Sequence, residues 1–569
     1  MTWRRARPRL ISSILILWAS AAAAESADCT VFSDSSEAEL MAFDLDEIAE
    51  SGPLARLDRS RDYEIGDIRI VRQPIFNEAH PDEDGIFYRW ANRLHIDTRE
   101  WAISQALLMK TGERATVETL EETERVLRAK SYVYSARILP RRLCNDVLDL
   151  DIVTRDVWTL NPSLDLGRTG GESSYGIGLS DPNAFGTGRG AGVRYNNDED
   201  RSGVGVYYED PNFWGTRTEL DLLVENNDDG ARHFAEVGQP FYSLDTRFAT
   251  GLRVDLNRFE QGLFLLSDEI ATFRHEARFA SFFTGFSRGL REGRTVRWLA
   301  GYTYDDHEFG RVGGEVDPVP FPQDRRYAYP WIGFEVVEDD FETSHNVNQI
   351  NRTEDVFLGA QYGMRVGFSD HRVGADDDTR WALDGSFRNG LHFRDRHLMI
   401  FGVEGRGFWN VDRGIEEDLF VRAYLNHRMT QSEHFSLYTS LAAAYVRNLP
   451  ADEQLLLGGE EGLRGYPNRY QAGDRRLLFT IEERYFSDLY LWRVLRVGAA
   501  VFMDIGRAWF PHTTNDEPFG TLTDVGIGLR IQSTRTRSDR VLHIDLAFPL
   551  QDGPEIESRE ISLTVKQTL

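Results

Sequence analysis

The chain has 569 residues, of which 41% are hydrophobic and 12% aromatic, and its formal net charge is −27 at pH 7. The aromatic content argues against a disordered chain. The acidity argues against nucleic acid as a partner, because the phosphates would be repelled. The acidic residues are spread over short patches between apolar runs, which predicts surface loops.

Residues 1–24 have the composition of a secretory signal peptide. Four arginines lie within MTWRRARPR, a short apolar run follows, and small residues at positions 22 and 24 fit cleavage after Ala24. The apolar run is shorter than the roughly 20 residues of a membrane-spanning helix. Export would place the two cysteines, Cys29 and Cys144, in an oxidising compartment. The sequence alone leaves open whether they form a disulfide.

Two regions follow the signal peptide, an acidic lead-in over residues 25–62 and a mixed helix and strand region over residues 63–157. Periodicity in the second region predicts strands over 67–71, 132–139 and 145–156, and helices over 95–112 and 119–130. Asp97 and Glu100 fit a capping box at the start of the first helix, and Gly112 fits its end. The predicted order is β-α-α-β-β, a compact α+β domain.

From residue 158 to residue 569 the helix pattern is replaced by alternation of period two. About twenty segments each have one apolar face and one face of charged or small residues. A soluble β-sandwich alternates in the same way but is much shorter. A transmembrane barrel explains both faces, because its strands point alternately to lipid and to the lumen. We therefore predict an antiparallel outer-membrane β-barrel of eighteen to twenty strands, closed by the segment over 561–569.

Three motifs resemble the superfamily of outer-membrane assembly and polypeptide-transport proteins of the BamA and TamA type, the bacterial surface antigen family. GIGLSDPNAFGTGRGAGVRY (176–195) is similar to the family's early barrel hairpin, and VFMDIGRAW (501–509) to a strand near its end. GGEEGLRGYPNRYQAGDRRLLFTIEERYF (458–486) is similar to its long loop folded into the barrel and the strand that follows. The resemblance implies sixteen strands and a single POTRA domain over residues 63–157. It places at the hairpin turn Asp181, Asn183, Gly186 and Gly188.

The resemblance also implies that the loop arginine, Arg464, pairs with the strand aspartate, Asp504. Strand parity agrees, because the alternation turns both Asp504 and Glu482 toward the lumen. A guanidinium fork suits a carboxylate through two hydrogen bonds, and glycines let a loop bend tightly. We expect these three side chains to hold the loop inside the barrel; solvated charges on an external loop are the alternative. The other loop residues expected to take part are Gly458, Gly459, Gly465 and Tyr466.

The function implied by the resemblance is assembly or transport of polypeptides. The POTRA domain, in the periplasm, would receive unfolded clients, and the barrel would pass them through its lumen or fold them at the seam between its first and last strands. The expected partners are outer-membrane lipid and lipopolysaccharide, polypeptide clients, and a periplasmic or lipoprotein accessory. No cofactor, metal or catalytic residue is expected.

Other interpretations remain open at this point. A passive channel or structural barrel explains the alternation but not the α+β domain or the arginine loop. The domain could also be a spacer or plug. A barrel enzyme is a third hypothesis, although we expect no serine-nucleophile elbow and no His-Glu-x-x-His helix. The sequence does not name a client or separate an insertase from a secretion transporter.

Overall fold

The computed structural model describes residues 29–42, 45, 53–78, 80–350, 352–394, 396–511, 519–536 and 540–566. The predicted signal peptide lies outside the described residues, as do the last three residues of the predicted closing strand. Within the described part of the chain, no helix is both long and apolar enough to span a membrane.

The N-terminal part of the chain is an α+β domain around a five-stranded sheet of order β1-β4-β5-β2-β3. Strands β2 and β5 run parallel, and β4 and β5 antiparallel. Helices α3 and α4 cover one face, where Ile103, Leu120 and Leu127 are fully buried. The elements are β1 (Cys29–Val31), α1 (Glu37–Ala42), β2 (Tyr63–Gln73), α2 (Ile86–Leu94), α3 (Glu100–Ala106), β3 (Arg114–Ala115), α4 (Val117–Arg128), β4 (Val133–Cys144) and β5 (Val147–Asp156).

Two expectations about the helices were wrong. The first predicted helix is represented only by α3, which starts after Arg99 without a side-chain cap, so Asp97 and Glu100 form no capping box. The helix α2 was not predicted, because its apolar residues face away from the core. Between β2 and β4 the chain therefore contains three helices and the two-residue strand β3, instead of two helices.

The predicted lead-in segment takes part in the domain. Strand β1 pairs with the end of β4, which sets Cys29 opposite Cys144. These two cysteines form a disulfide in the structure. Helix α1 covers the second face of the sheet, where Leu40 clusters with Val71 and Val153.

The described residues from 161 onward form a closed barrel of twenty strands, each antiparallel to its neighbours. The resemblance implied sixteen strands, and this prediction is wrong for this chain. More of its alternating segments form wall strands than a sixteen-stranded barrel contains. The first ten are β6 (Asn161–Thr169), β7 (Glu172–Asp181), β8 (Gly190–Asn197), β9 (Ser202–Phe213), β10 (Thr218–Asn227), β11 (Ala231–Gln239), β12 (Phe248–Leu265), β13 (Asp268–Ser287), β14 (Arg294–Arg311) and β15 (Arg325–Glu338).

Two short hairpins interrupt the second half of the barrel. They are formed by β16 (Phe341–His345) with β17 (Thr353–Phe357), and by β23 (Leu455–Leu457) with β24 (Gln471–Gly473). The other ten wall strands are β18 (Gln361–Ser369), β19 (Arg380–Phe393), β20 (His397–Asn410), β21 (Ile415–Thr430), β22 (Phe435–Arg447), β25 (Arg475–Leu491), β26 (Leu495–Trp509), β27 (Leu522–Ser533), β28 (Val541–Pro549) and β29 (Glu560–Lys566).

The two faces of the wall differ in chemistry. Apolar side chains stay exposed on the outer face; examples are Leu477, Val501, Ile527, Ile561 and Val565, which are 44–61% exposed. The inner face carries buried charged side chains. A closed sheet with an exposed apolar exterior and a polar interior has the pattern of a membrane-spanning barrel.

The α+β domain lies at one end of the barrel, which we call the proximal rim; the opposite end is the distal rim. Strand β5 leads into β6, and the domain contacts turns around the proximal rim. Asn183 donates to Thr98 Oγ1 at 2.8 Å, and Arg535 donates to the Ile75 carbonyl at 2.7 Å. The domain therefore covers a large part of the proximal mouth.

The hairpin of β16 and β17 narrows the lumen beneath the domain. It starts at the proximal turn between β15 and β18. Its tip residue Ile350 is buried with Phe486 and Val541, and the Ile350 N–H donates to Gln532 Oε1 at 2.6 Å. These partners belong to β25, β28 and β27. The hairpin therefore reaches a distant part of the wall along the inside of the barrel.

Candidate functional site

The segment between β22 and β25, residues 448–474, leaves the distal rim and folds into the lumen; we call it the inner loop. It packs on the inner faces of β26 and β27 through a hydrophobic cluster. The buried side chains in this contact are Leu457, Leu463, Tyr466, Tyr470, Ala508 and Leu522. This packing positions the polar part of the loop against the inner face of β25 to β28.

Arg464 lies at the centre of a buried ion cluster. Its guanidinium donates two hydrogen bonds to Asp504, at 2.7 and 3.1 Å, and one to Glu482 Oε2 at 2.8 Å. It also lies 3.3 Å from the centroid of the Phe502 ring. Asp504 and Glu482 are buried. The structure thus brings together the arginine and both carboxylates that the sequence singled out.

Two further arginines, which were not predicted from the sequence, complete this cluster. Arg530 donates to Asp545 at 2.5 Å and to Glu482 at 3.3 Å, and Arg484 donates to Glu482 Oε1 at 2.9 Å. A buried charge is costly unless it is paired and hydrogen-bonded, and here each carboxylate has a guanidinium partner. Strand parity could have found Arg530 and Asp545, because both occupy the polar face of their segments.

Gly465 and Tyr466 attach the inner loop to β27. The Gly465 N–H donates to Asp524 Oδ2 at 3.1 Å, and a Cβ at Gly465 would lie 2.7 Å from the Asp524 Cβ. That approach admits only glycine. The Tyr466 hydroxyl donates to the Thr523 carbonyl at 2.8 Å.

Gly458 and Gly459 lie where the inner loop passes the distal turn between β6 and β7. A Cβ at Gly459 would lie 2.8 Å from the Gly170 Cα, and the Asn468 N–H donates to the Gly170 carbonyl at 3.3 Å. Close approach of the two backbones requires glycine here. The loop therefore contacts the first strands of the barrel as well as the last.

A second contact joins the inner loop to the first strands. Arg469 donates two hydrogen bonds to Asp200, at 2.7 and 2.8 Å, in the distal turn between β8 and β9. Arg464 binds β25 and β26, which precede the junction between β29 and β6, whereas Arg469 binds a turn that follows this junction. The inner loop is therefore attached to the wall on both sides of the junction. We call this junction the seam.

Of all the junctions of the wall, the seam has the fewest register pairs in the part of the chain that the structure describes, which ends at residue 566 of β29. Among the described residues, a single pair, Leu563 with Arg168, is in register across it. The junctions on either side have seven and nine pairs, between β28 and β29 and between β6 and β7. A register pair between two strands stands for shared backbone hydrogen bonds, so the described part of the seam shares the fewest of them.

The early hairpin motif lies in the proximal turn between β7 and β8, close to the seam. Its four residues are Asp181, Asn183, Gly186 and Gly188. The Asn183 N–H donates to Asp181 Oδ1 at 2.9 Å, and Gly186 and Gly188 have φ of +71° and +70°. The Gly186 carbonyl accepts the Arg99 N–H at 2.8 Å. The motif thus connects the barrel to the α+β domain, a contact that the sequence analysis did not foresee.

Residues 285–289, GFSRG, have the Gly-x-Ser-x-Gly spacing of a nucleophile elbow, contrary to our expectation from the sequence. They end β13 and enter a turn to β14, whereas an elbow joins a strand to a helix. Ser287 Oγ is hydrogen-bonded to Thr295 Oγ1 at 2.9 Å. Across the described ranges, no three His, Cys, Asp or Glu side chains are grouped so that they could hold a metal ion.

No protein-family model and no curated protein matches the chain. Similar solved structures include BamA from Haemophilus ducreyi lacking POTRA domains 1–3, with 14% identity and a TM-score of 0.38 over 89% of this chain and 84% of that chain. CdiB from Acinetobacter baumannii has 11% identity and a TM-score of 0.41 over 88% and 73%. CdiB from Escherichia coli has 12% identity and a TM-score of 0.42 over 88% and 76%. These values are too low to place the chain in a family.

Proposed function

We propose that this chain is an outer-membrane barrel of the BamA and TamA type that assembles or transports polypeptides. The observation that carries the proposal is the seam, where one register pair among the described residues joins the first and last strands. Unpaired backbone groups in lipid cost several kcal/mol each, in order-of-magnitude terms. An incoming strand would pair with these groups, so an opened seam would serve as a template.

The α+β domain would act as a POTRA domain in the periplasm. Strand β3 pairs only with Tyr63 and Glu64 of β2. From residue 66 to residue 72, the outer edge of β2 has no strand partner in the described part of the chain. A polypeptide could add a strand at this edge, and its main chain would supply the hydrogen bonds. The proximal rim would then face the periplasm.

The inner loop would hold the seam region in one conformation while the seam opens. Arg464 fixes it to the strands before the seam, and Asn468 and Arg469 connect it to the turns after the seam. The cluster would therefore set the position of the loop and take no part in chemistry. The expected surroundings are outer-membrane lipid, lipopolysaccharide, and a periplasmic or lipoprotein accessory.

A passive channel is the alternative function. It would require an open lumen, but the inner loop and the β16–β17 hairpin both occupy the lumen in this structure. A channel also gives no role to the weak seam. The seam and the two occupied ends favour polypeptide handling.

The proposal is tested by quantitative proteomics of outer membrane and culture supernatant after depletion of the chain, with a complemented strain as control. A broad fall in barrel proteins is expected for an assembly factor, and loss of one or a few secreted proteins for a transporter. Unchanged levels of both classes, in a strain without a redundant paralogue, would overturn polypeptide handling.

A further inference from the structure

Helix α2 carries an apolar face that points away from the protein. Its four large apolar side chains, Ile86, Phe87, Trp90 and Leu94, are 60–84% exposed. At the 3.6-residue period these positions share one side of the helix. An amphipathic helix in a globular domain normally buries this side against a core. Among the described residues, no core lies beneath this apolar side.

The polar side of α2 is the one attached to the domain. Asn92 Oδ1 accepts the Phe76 N–H at 3.1 Å, and Asn92 Nδ2 donates to the Phe76 carbonyl at 2.9 Å. The Tyr88 ring packs on the Phe76 ring with centroids 4.8 Å apart. These contacts fix the rotation of the helix, so the outward direction of its apolar side is built into the fold.

The segment from α2 to α3 crosses beneath the seam on the proximal rim. Tyr88 donates to the Trp492 carbonyl at 3.1 Å, in the turn between β25 and β26. At the other end, the Arg99 N–H donates to the Gly186 carbonyl at 2.8 Å, in the turn between β7 and β8. In the barrel order these turns lie on opposite sides of the seam.

The apolar face of α2 continues the exposed apolar surface of the barrel. The rim turns near this segment carry three aromatic side chains that are 70–83% exposed, Phe185, Trp214 and Trp492. Aromatic side chains concentrate at the two interfaces of membrane barrels. Because α2 is hydrogen-bonded directly to one of these turns, its apolar face lies beside the aromatic side chains of the proximal rim.

The charge of this segment differs from that of the whole chain. Residues 86–101 contain three arginines and two acidic residues, whereas the chain has a formal net charge of −27. Arg93, in the last turn of α2, is exposed and borders the apolar face. Aromatic and aliphatic residues on one side with arginine at its border are the features of a helix that lies in a lipid headgroup region.

We propose that α2 inserts its apolar face into the periplasmic leaflet of the outer membrane, beneath the seam, among glycerophospholipids with anionic headgroups. Phe87, Trp90 and Leu94 enter the acyl-chain boundary. The inference rests on the proposed outer-membrane placement of the barrel and not on polypeptide handling. It gives the α+β domain a second attachment, to lipid, beside the seam.

The test uses the full chain in phosphatidylethanolamine and phosphatidylglycerol nanodiscs, with an environment-sensitive fluorophore on single added cysteines and the native disulfide kept oxidised. The variants are Phe87→Cys for α2, Val501→Cys for the outer face of the barrel, and Asp62→Cys for an exposed position at the end of β2 remote from the barrel. We expect blue-shifted emission and loss of intensity with acyl-chain doxyl lipid for Phe87→Cys and Val501→Cys, and neither for Asp62→Cys.

The three positions separate the outcomes. Quenching at position 501 without quenching at position 87 would overturn the lipid contact of α2 and leave the proposed function standing. A blue shift at position 87 that doxyl lipid does not quench would mean that the helix is covered by protein, either a second copy of the chain or a bound polypeptide. That result would also overturn the lipid contact of α2. Absence of quenching at position 501 would overturn the membrane placement on which both proposals rest.

Discussion

At the scale of single residues, we propose that the buried ion cluster holds the inner loop in one position. Arg464 is buried and hydrogen-bonded to Asp504 and Glu482. Such a pair adds little net stability relative to apolar residues, because both charges are removed from water. Loss of one partner is costly, because the other charge stays buried without compensation. The cluster therefore acts mainly to fix one loop position.

Reversal of the charge at Arg464 should release the inner loop. Arg464→Glu places another carboxylate beside Asp504, Glu482 and Asp545, and we expect a loss of roughly 3–5 kcal/mol in barrel stability. The loss should appear as a lower transition temperature in heat-modifiable gel migration. Arg464→Lys keeps the charge without the fork and should be intermediate.

The rescue variant separates the pairing from a general effect of the substitution. Adding Asp504→Arg to Arg464→Glu restores an opposite-charge pair and should recover part of the stability and function. Wild-type behaviour of Arg464→Glu alone would show that the pairing does not hold the loop.

Only some members of this cluster could be predicted from the sequence. Asp504 and Glu482 could be predicted to face the lumen, because a period of two leaves each strand residue only two directions. Arg530 and Asp545 obey the same parity, but parity does not give the order of strands around a barrel. The approach of Asp545 to Arg464, at 3.6 Å, depends on how the loop folds back over β27 and β28, which no local pattern encodes.

At the scale of secondary-structure elements, the β16–β17 hairpin was the least predictable feature. Its short alternating strands resemble wall strands in sequence, yet they fold along the inside of the lumen. Helix α2 was missed for a related reason, because its apolar side faces outward and its polar side is attached to the domain. In both cases, tertiary contacts determine which face of the element is buried. The periodicity of the sequence does not indicate this.

Excision of the hairpin should open the proximal end of the lumen. Asp340 and Leu358 are adjacent, since the Leu358 N–H donates to the Asp340 carbonyl at 2.8 Å. Removal of residues 341–357, with an Asn-Gly turn joining the ends, should therefore preserve β15 and β18. We expect higher single-channel conductance in planar bilayers.

A pair of point variants serves as the matched comparison for the excision. Ile350→Asp charges the buried hairpin tip and should raise conductance, while Thr343→Asp changes an exposed position of the same hairpin and should not. Equal conductance of the intact and excised chains would mean that the hairpin does not obstruct the lumen.

At the scale of the whole molecule, the barrel architecture could be predicted from the sequence, whereas the number of strands could be predicted only as a range. Alternation over residues 158–569 predicts a closed wall, because lipid requires every backbone group to be paired. The strand number implied by resemblance was wrong, whereas the range from counting segments includes the observed twenty. The seam could not be predicted from sequence, because β6 and β29 alternate like any other strands, and only the structure shows how few register pairs their described residues form.

The proposed function requires the seam to open, and a disulfide across the seam is the most direct test. Arg168 and Leu563 are opposite each other, so Arg168→Cys with Leu563→Cys should close the seam. The control is Leu542→Cys with Val565→Cys, which joins the paired neighbours β28 and β29. The measurement is the level of outer-membrane and secreted proteins that depend on the chain. The account predicts loss of these proteins with the oxidised seam pair and normal levels with the control pair; normal levels with the seam fully cross-linked would contradict it.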